Sequence, residues 1–351
     1  MLAQHTGQTL DFQNKPNPNK RLSMTPWLHL FLLALICAAP LGAATPEGPP
    51  PLRRVLPPLL VEGEQISPYT IRAPFELAGH LILIQAEVAG QSGNFILDTG
   101  SEALILNAAH FAGGVEQPML ASTGTTGRVE GVRVTAVSDL AIDSSRMERL
   151  GAHVIDLRHI EEKKHIRLLG IIGYDVIKAY ELLIDFQLRQ LTLTQLDRLG
   201  NRLDSLAIYD AATDSLEARL QDHILAIEGE VDGHSVTFGL DSGAELNLID
   251  KRAGRKVLQH FQPNRRAVLH GMAGSKGVEV IAGKLYHFSS GKQRCSGMRT
   301  ILTNMAELNH SFGSRLDGLI GYEFLVTRRT ILNYKREKLY FLPWYTTAPK
   351  P

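Results

Sequence analysis

Apolar and polar residues alternate through most of this chain. Short apolar runs punctuated by glycine, with every second position polar in many of them, are the pattern of half-buried strands. Ile184, Phe186, Leu191 and Leu193 alternate around polar neighbours. Leu332, Tyr334, Leu339 and Phe341 repeat that pattern around the turn-like KREK of 335–338. Helical patterns are few: a turn or two at 175–180 and 323–327, a stretch at 156–165, and the region 197–220. The chain is therefore expected to be all-β with few short helices.

The pattern also repeats at long range. Segment 80–106, HLILIQAEVAGQSGNFILDTGSEALIL, aligns without a gap on segment 223–249, HILAIEGEVDGHSVTFGLDSGAELNLI, at an offset of 143, with 11 of 27 positions identical. His80/His223, Glu87/Glu230, Gly90/Gly233, Phe95/Phe238, Asp98/Asp241, Gly100/Gly243 and Glu102/Glu245 are among the shared positions. At an offset of 148, LLGIIGY (168–174) matches LDGLIGY (316–322). Solenoid repeats have periods near 20–50 residues; a period near 145, present twice, describes two similar lobes. The expected division is a lobe at 73–196, a linker at 197–220, a lobe at 221–346 and a tail at 347–351.

The amino-terminal end breaks the pattern. Residues 27–39 (WLHLFLLALICAA) follow Lys20 and Arg21 and precede Pro40 and the small residues Gly42-Ala43-Ala44. A basic flank, a short apolar stretch and a small-residue exit describe a secretory signal peptide. A spanning helix needs about 20 apolar residues, and Pro40 opposes extension. Residues 1–44 are thus read as an export segment cleaved after Ala43 or Ala44, or after a start at Met24. The expected product is secreted or periplasmic, with no stable membrane insertion after cleavage; an uncleaved signal acting as an anchor is the alternative. Pro-rich residues follow, and 45–72 reads as a spacer or pro-segment.

Composition narrows the field further. A length of 351 residues fits two domains. Lys plus Arg at 37 against Asp plus Glu at 36 gives a net charge of +1, which argues against a broad grip on nucleic acid or anionic lipid. The two cysteines, Cys37 and Cys295, are too few for a disulfide scaffold or thiolate cluster. Once the signal is removed, Cys295 is alone.

Chemistry enters with a tripeptide. Each copy carries Asp-(Thr/Ser)-Gly directly after an apolar strand: Phe95-Ile96-Leu97-Asp98-Thr99-Gly100-Ser101 and Phe238-Gly239-Leu240-Asp241-Ser242-Gly243-Ala244. One such tripeptide arises by chance on the order of once per ten chains of this length. Two, in matching contexts and each followed by an apolar-apolar-Gly element (Ile171-Ile172-Gly173 and Leu319-Ile320-Gly321), are specific. An Asp at a strand end followed by Gly sits on a tight turn that another backbone can approach closely. Two such carboxyls brought within a few ångströms share one proton.

With these motifs the chain resembles the aspartic proteases over about residues 73–345. One Asp per lobe in a single chain is similar to the pepsin branch; the short lobes, the lack of disulfides and Asp-Ser-Gly-Ala are similar to the retroviral branch. The resemblance implies two retropepsin-like β-barrel lobes related by a pseudo-twofold axis, and an endopeptidase in which Asp98 and Asp241 activate a water. It implies that Thr99 and Ser242, with Gly100 and Gly243, support the dyad across the axis. Ser101 matches a hydroxyl that bonds its own Asp in the pepsin branch, which would favour the charged form of Asp98; Ala244 matches the retroviral pattern. Gly173 and Gly321 take a structural role behind the site. The resemblance implies no cofactor and no metal, a polypeptide substrate and a monomer. Flap candidates are 122–131 (STGTTGRVEG) and 269–277 (LHGMAGSKG), without the tyrosine of the pepsin flap.

The rival readings rest on weaker signals. A non-catalytic peptide- or protein-binding module on the same fold has no need of two intact motifs. A metal hydrolase is suggested by His153, His159 and His165 with Glu161 and Glu162, but His159 and His165 are six apart where a helical zinc site wants four. The glycine-rich flap candidates lack a phosphate loop's Gly-Lys-Ser/Thr ending, and no Gly-x-Ser-x-Gly elbow occurs. His80 and His223 each precede an apolar strand and read as strand-edge residues. Glu102 and Glu245, four past each Asp, read as structural or substrate-facing.

Overall fold

The computed structural model describes residues 63–116, 131–143, 145–207, 209–270 and 277–345, with the backbone of Leu35–Cys37, Ser122–Gly124 and Gly127–Val129. Strands account for 55% and helices for 10%, so the fold is all-β.

In the first half, six strands close into a barrel. Leu81–Val88 pairs with Gln91–Leu97, which runs parallel to Leu168–Ile172; that strand pairs with Leu104–Asn107. Leu104–Asn107 runs parallel to Ser145–Ile155, which pairs with Arg133–Ile142, and Leu140 then pairs with Val88 to close the ring. Both faces of the central strands are covered. Ile82, Ile84, Phe95, Leu97, Leu104 and Leu106 share one buried cluster; Leu81, Leu83, Ile96, Ile105 and Ile171 share another, with Ile160 of helix Arg158–Lys164. Burial on both sides explains why HLILI and ALIL are continuous apolar runs rather than alternating ones.

The second half repeats this order with Ile224–Val231, His234–Leu240, Gly318–Ile320, Asn247–Asp250, Met298–Thr303 and Val278–Leu285. Here the short strand Phe288–Ser290 takes the closing place on Ile224–Val231, and Leu308 of helix Ala306–Ser311 joins the buried outer face.

A seven-stranded sheet joins the halves, in the order Glu64–Ser67, Thr70–Pro74, Gln190–Gln195, Tyr180–Asp185, Arg329–Asn333, Lys338–Leu342, Asp214–Gln221. At its centre Leu183 pairs with Ile331, two positions separated by the 148-residue offset of the sequence repeat. The strand pairing thus has a local twofold there. Beside it, buried Arg329 donates from Nε to Asp185 Oδ2 at 2.7 Å and from Nη1 to Asp210 Oδ2 at 2.6 Å.

Two expectations change. Region 197–220 is not helical. Residues 214–221 form a strand, because Leu216 and Ala218 are buried while Ser215, Glu217 and Arg219 are exposed, a period of two rather than 3.6. The stretch read as spacer at 45–72 also ends in structure: Glu64–Ser67 and Thr70–Pro74 are strands, and Ile71 is buried. Of the export segment the structure describes Leu35–Cys37, a short strand antiparallel to Val268–His270. The rest of 1–62 and the tail at 347–351 lie outside the described residues. Among the described residues no helix is long and apolar enough to cross a membrane.

Replacing Arg329 by Ala leaves the Asp185 carboxylate buried without its cation. Urea unfolding of Arg329→Ala should show a loss of about 3 kcal/mol or more at neutral pH.

Candidate active site

Strand Gln91–Leu97 delivers Asp98, and strand His234–Leu240 delivers Asp241. The Asp98 amide donates to the Ile172 carbonyl at 3.0 Å and the Asp241 amide to the Ile320 carbonyl at 2.9 Å. Each aspartate therefore enters its turn tied to the apolar-apolar-Gly element behind it. That element passes so close that a Cβ on Gly173 would lie 2.5 Å from the Ser101 carbonyl oxygen, and one on Gly321 2.3 Å from that of Ala244. No side chain fits there.

The two turns exchange hydrogen bonds. The Thr99 amide donates to Ser242 Oγ at 3.0 Å, and the Ser242 amide donates to Thr99 Oγ1 at 2.8 Å. Thr99 Oγ1 in turn donates to the Leu240 carbonyl at 3.2 Å, and Ser242 Oγ to the Leu97 carbonyl at 2.9 Å. Each hydroxyl is thus donor and acceptor at once, and all four bonds are buried. Thr99 and Ser242, and Leu97 and Leu240, are related by the 143-residue offset. The Gly100 and Gly243 amides each donate to Oδ1 of their own aspartate at 2.8 Å. Each glycine also lies against the opposite carboxyl: a Cβ at Gly100 would stand 2.5 Å from Asp241 Cγ, and one at Gly243 2.5 Å from Asp98 Cγ.

The carboxyls are 0% and 1% exposed, and Oδ2 of each has no protein donor. Two like charges so placed are not both ionised. Burial, then the adjacent Asp241 charge, pushes Asp98 well above the ordinary carboxylate range. Burial raises Asp241 too, but a hydrogen bond from Asp98, the Gly243 amide and the charge of His223 act against that rise. Both carboxyls are thus raised, and the pair shares one proton.

This corrects the expected role of Ser101. Its hydroxyl is buried and donates to the Ala103 carbonyl at 3.3 Å, not to Asp98. With its proton given to the Ala103 carbonyl, Ser101 is not a source of asymmetry in the pair.

Residues 227–324 match the family model described as aspartyl protease, a span that holds Asp241-Ser242-Gly243 and Leu319-Ile320-Gly321. The matched span makes the second half of the chain similar to the aspartyl proteases. The likeness is to the retropepsin-like kind, and the internal repeat extends it to the half that lies before the matched span. No curated protein matches the chain.

Both flap candidates fall on hairpins. Ser122–Gly124 pairs with Gly127–Val129, and its first strand lies against helix Ala306–Ser311 of the other half. Phe261–His270 pairs with Val278–Leu285, while 271–276 lie outside the described residues.

Three residues outside the expected site also crowd the dyad. Tyr334 is buried beside it with its hydroxyl unsatisfied, and burial raises the phenol's pKa. Glu102 is pushed up to about 7, first by burial. His223 Nε2 donates to the Gly100 carbonyl at 3.1 Å. The recurrence of His80/His223 and Glu102/Glu245 in the repeat was the available signal, but sequence alone could not show that these pairs cross from one half to the other.

Gly243→Ala should fold poorly or displace Asp98, whereas the exposed-turn control Gly233→Ala alters only its own hairpin; near-ultraviolet circular dichroism distinguishes them. A group whose folded pKa is raised stabilises below its unfolded pKa and loses that contribution as pH rises through the folded value. Asp98→Asn should therefore unfold at higher urea than the parent at pH 8. That advantage should vanish below about pH 4, where the unfolded carboxyl is itself protonated.

Proposed function

We propose that this protein is an aspartic endopeptidase. The observation that carries the reading is the reciprocal Thr99/Ser242 exchange, which holds Asp98 and Asp241 against one another's glycines. A pair holding one proton and one negative charge has both an acid and a base ready. Asp241 takes a proton from a water as its oxygen attacks the scissile carbonyl carbon. Asp98 gives its proton to the carbonyl oxygen, and the tetrahedral adduct then collapses with proton transfer to the leaving amine. The net reaction consumes one water per peptide bond.

The hairpins around 122–131 and 269–277 serve as covers, and with the carboxyls this deeply buried they open to admit a polypeptide. Because both aspartates are in one chain, the active form is a monomer. Export through the amino-terminal signal, and removal of chain upstream of the strand Glu64–Ser67, complete the proposal.

Deep burial of the pair also favours a second reading, a protein that holds a peptide without cutting it. Incubation with a library of unstructured peptides from pH 3 to 7, read by mass spectrometry, separates the two. Cleavage by the parent that falls about a hundredfold or more in both Asp98→Asn and Asp241→Asn supports the peptidase. Peptide retention without cleavage, unchanged in the two variants, supports the binder.

A further inference from the structure

The repeat places equivalent residues around each aspartate, yet the two surroundings are not equivalent. Beside Asp241, Glu245 is paired with Lys164 at 2.5 Å and accepts the His80 amide at 3.0 Å. Glu323 is paired there with Arg299, whose Nη2 also donates to His80 Nε2 at 3.2 Å. An imidazole nitrogen that accepts from arginine bears no proton, so the His80 ring is neutral. It stacks on Tyr322, with burial and Arg299 lowering its pKa.

Around Asp98 every cation of that set is replaced. At the 148-residue offset, Lys164 becomes Phe312 and Arg299 becomes Gly151; at the 143-residue offset, Gly79 becomes Asp222. Glu102, equivalent to Glu245, keeps a buried Oε2 with no hydrogen-bond donor. The His223 ring, 1% exposed, has turned inward instead. Its Nε2 must donate, because its partner there is the Gly100 carbonyl. Its Nδ1 faces Asp222 Oδ2 at 3.2 Å, again an acceptor. Phe312 packs edge-on against the ring, and Tyr174 lies beside it. A ring with oxygen acceptors at both nitrogens is satisfied when doubly protonated.

We propose that His223, as a buried imidazolium, is a positioning residue for the dyad: it fastens the Gly100 carbonyl and holds the negative charge on Asp241. It acts through the Asp98 turn and touches no reacting atom. The groups facing it are Asp222 on its own turn, Glu102 from the Asp98 loop, Asp241 from the opposite loop and Tyr174 from helix Tyr174–Ile177. Asp175 and Lys178 of that helix are near Glu102. Glu102 holds the place of Glu245, and the charge of His223 acts against the rise that burial imposes on its carboxyl. The inference rests on the peptidase reading for its kinetic arm only.

The test uses the mature protein with His223→Gln, which keeps a donor for Gly100 but no charge, and His80→Gln as the control on the neutral ring. A cation favours ionised Asp241, so its loss raises both apparent pKa values of the dyad. The pH profile of kcat/KM for His223→Gln should move upward by about half a unit to one unit on both limbs. KM should change little, and the profile of His80→Gln should stay in place. Equal shifts in the two variants, or none in either, overturn the proposal. Should His223→Gln not fold, nitrogen-15 spectra of the parent decide: both His223 ring nitrogens protonated across the active pH range support the role, and a neutral ring overturns it. If the parent cuts no peptide, the peptidase reading fails. Carbon-13 titration of the two carboxyls with and without His223→Gln then still reads the bias on Asp241.

Discussion

Two hydroxyls, each donating to and accepting from the opposite half, hold the centre of this molecule together. The Thr99 and Ser242 side chains each take an amide proton from the other's turn and give their own proton to the strand beyond. Either hydroxyl alone would leave a buried amide or carbonyl without a partner, a cost of about 1–3 kcal/mol for each group. The geometry that satisfies all four groups also brings each carboxyl onto the opposite glycine. Burying two carboxyls there is unfavourable in itself. The exchange, the inter-half sheet and the apolar core behind it supply the stability that offsets it.

That dependence explains why the length of the chain and its chemistry are linked. Asp98 has no partner unless strand His234–Leu240 exists, and that strand is held from behind by Gly318–Ile320 of the same half. The central sheet then joins the halves through Leu183 and Ile331. Leu183 and Ile331 are equivalent at the 148-residue offset, Thr99 and Ser242 at the 143-residue offset. Repeat-equivalent residues therefore meet both at the structural joint and at the dyad.

How much of this was legible in the sequence differs from one feature to another. The strands, the duplicated Asp-(Thr/Ser)-Gly turns and the glycines behind them were readable because each rests on local pattern: period, turn chemistry and a repeat at fixed offset. The 214–221 strand was not, since its alternation is short and its partner, Lys338–Leu342, lies far along the chain. Ser101 was misread for a related reason. Its spacing from Asp98 allows a bond to the carboxyl, but the hydroxyl donates to the Ala103 carbonyl instead. Residues that depend on the opposite half, such as His223 at Gly100, have no local signature at all.

Departures from the repeat say more about chemistry than its matches do. A pair related by perfect symmetry would give neither carboxyl a preference for the proton. Here Asp98 and Asp241 have near-identical backbone partners, so any preference must come from side chains that differ between the halves. Lys164 against Phe312 and Gly79 against Asp222 are such differences, while Tyr334, which stands where the other copy has Phe186, faces both aspartates. A single-chain protein can carry these changes because its halves are encoded separately. A homodimer of identical halves cannot, since every substitution made beside one aspartate appears beside the other. Joining the halves in one chain therefore does more than raise their effective concentration: it permits the two carboxyls to have different surroundings.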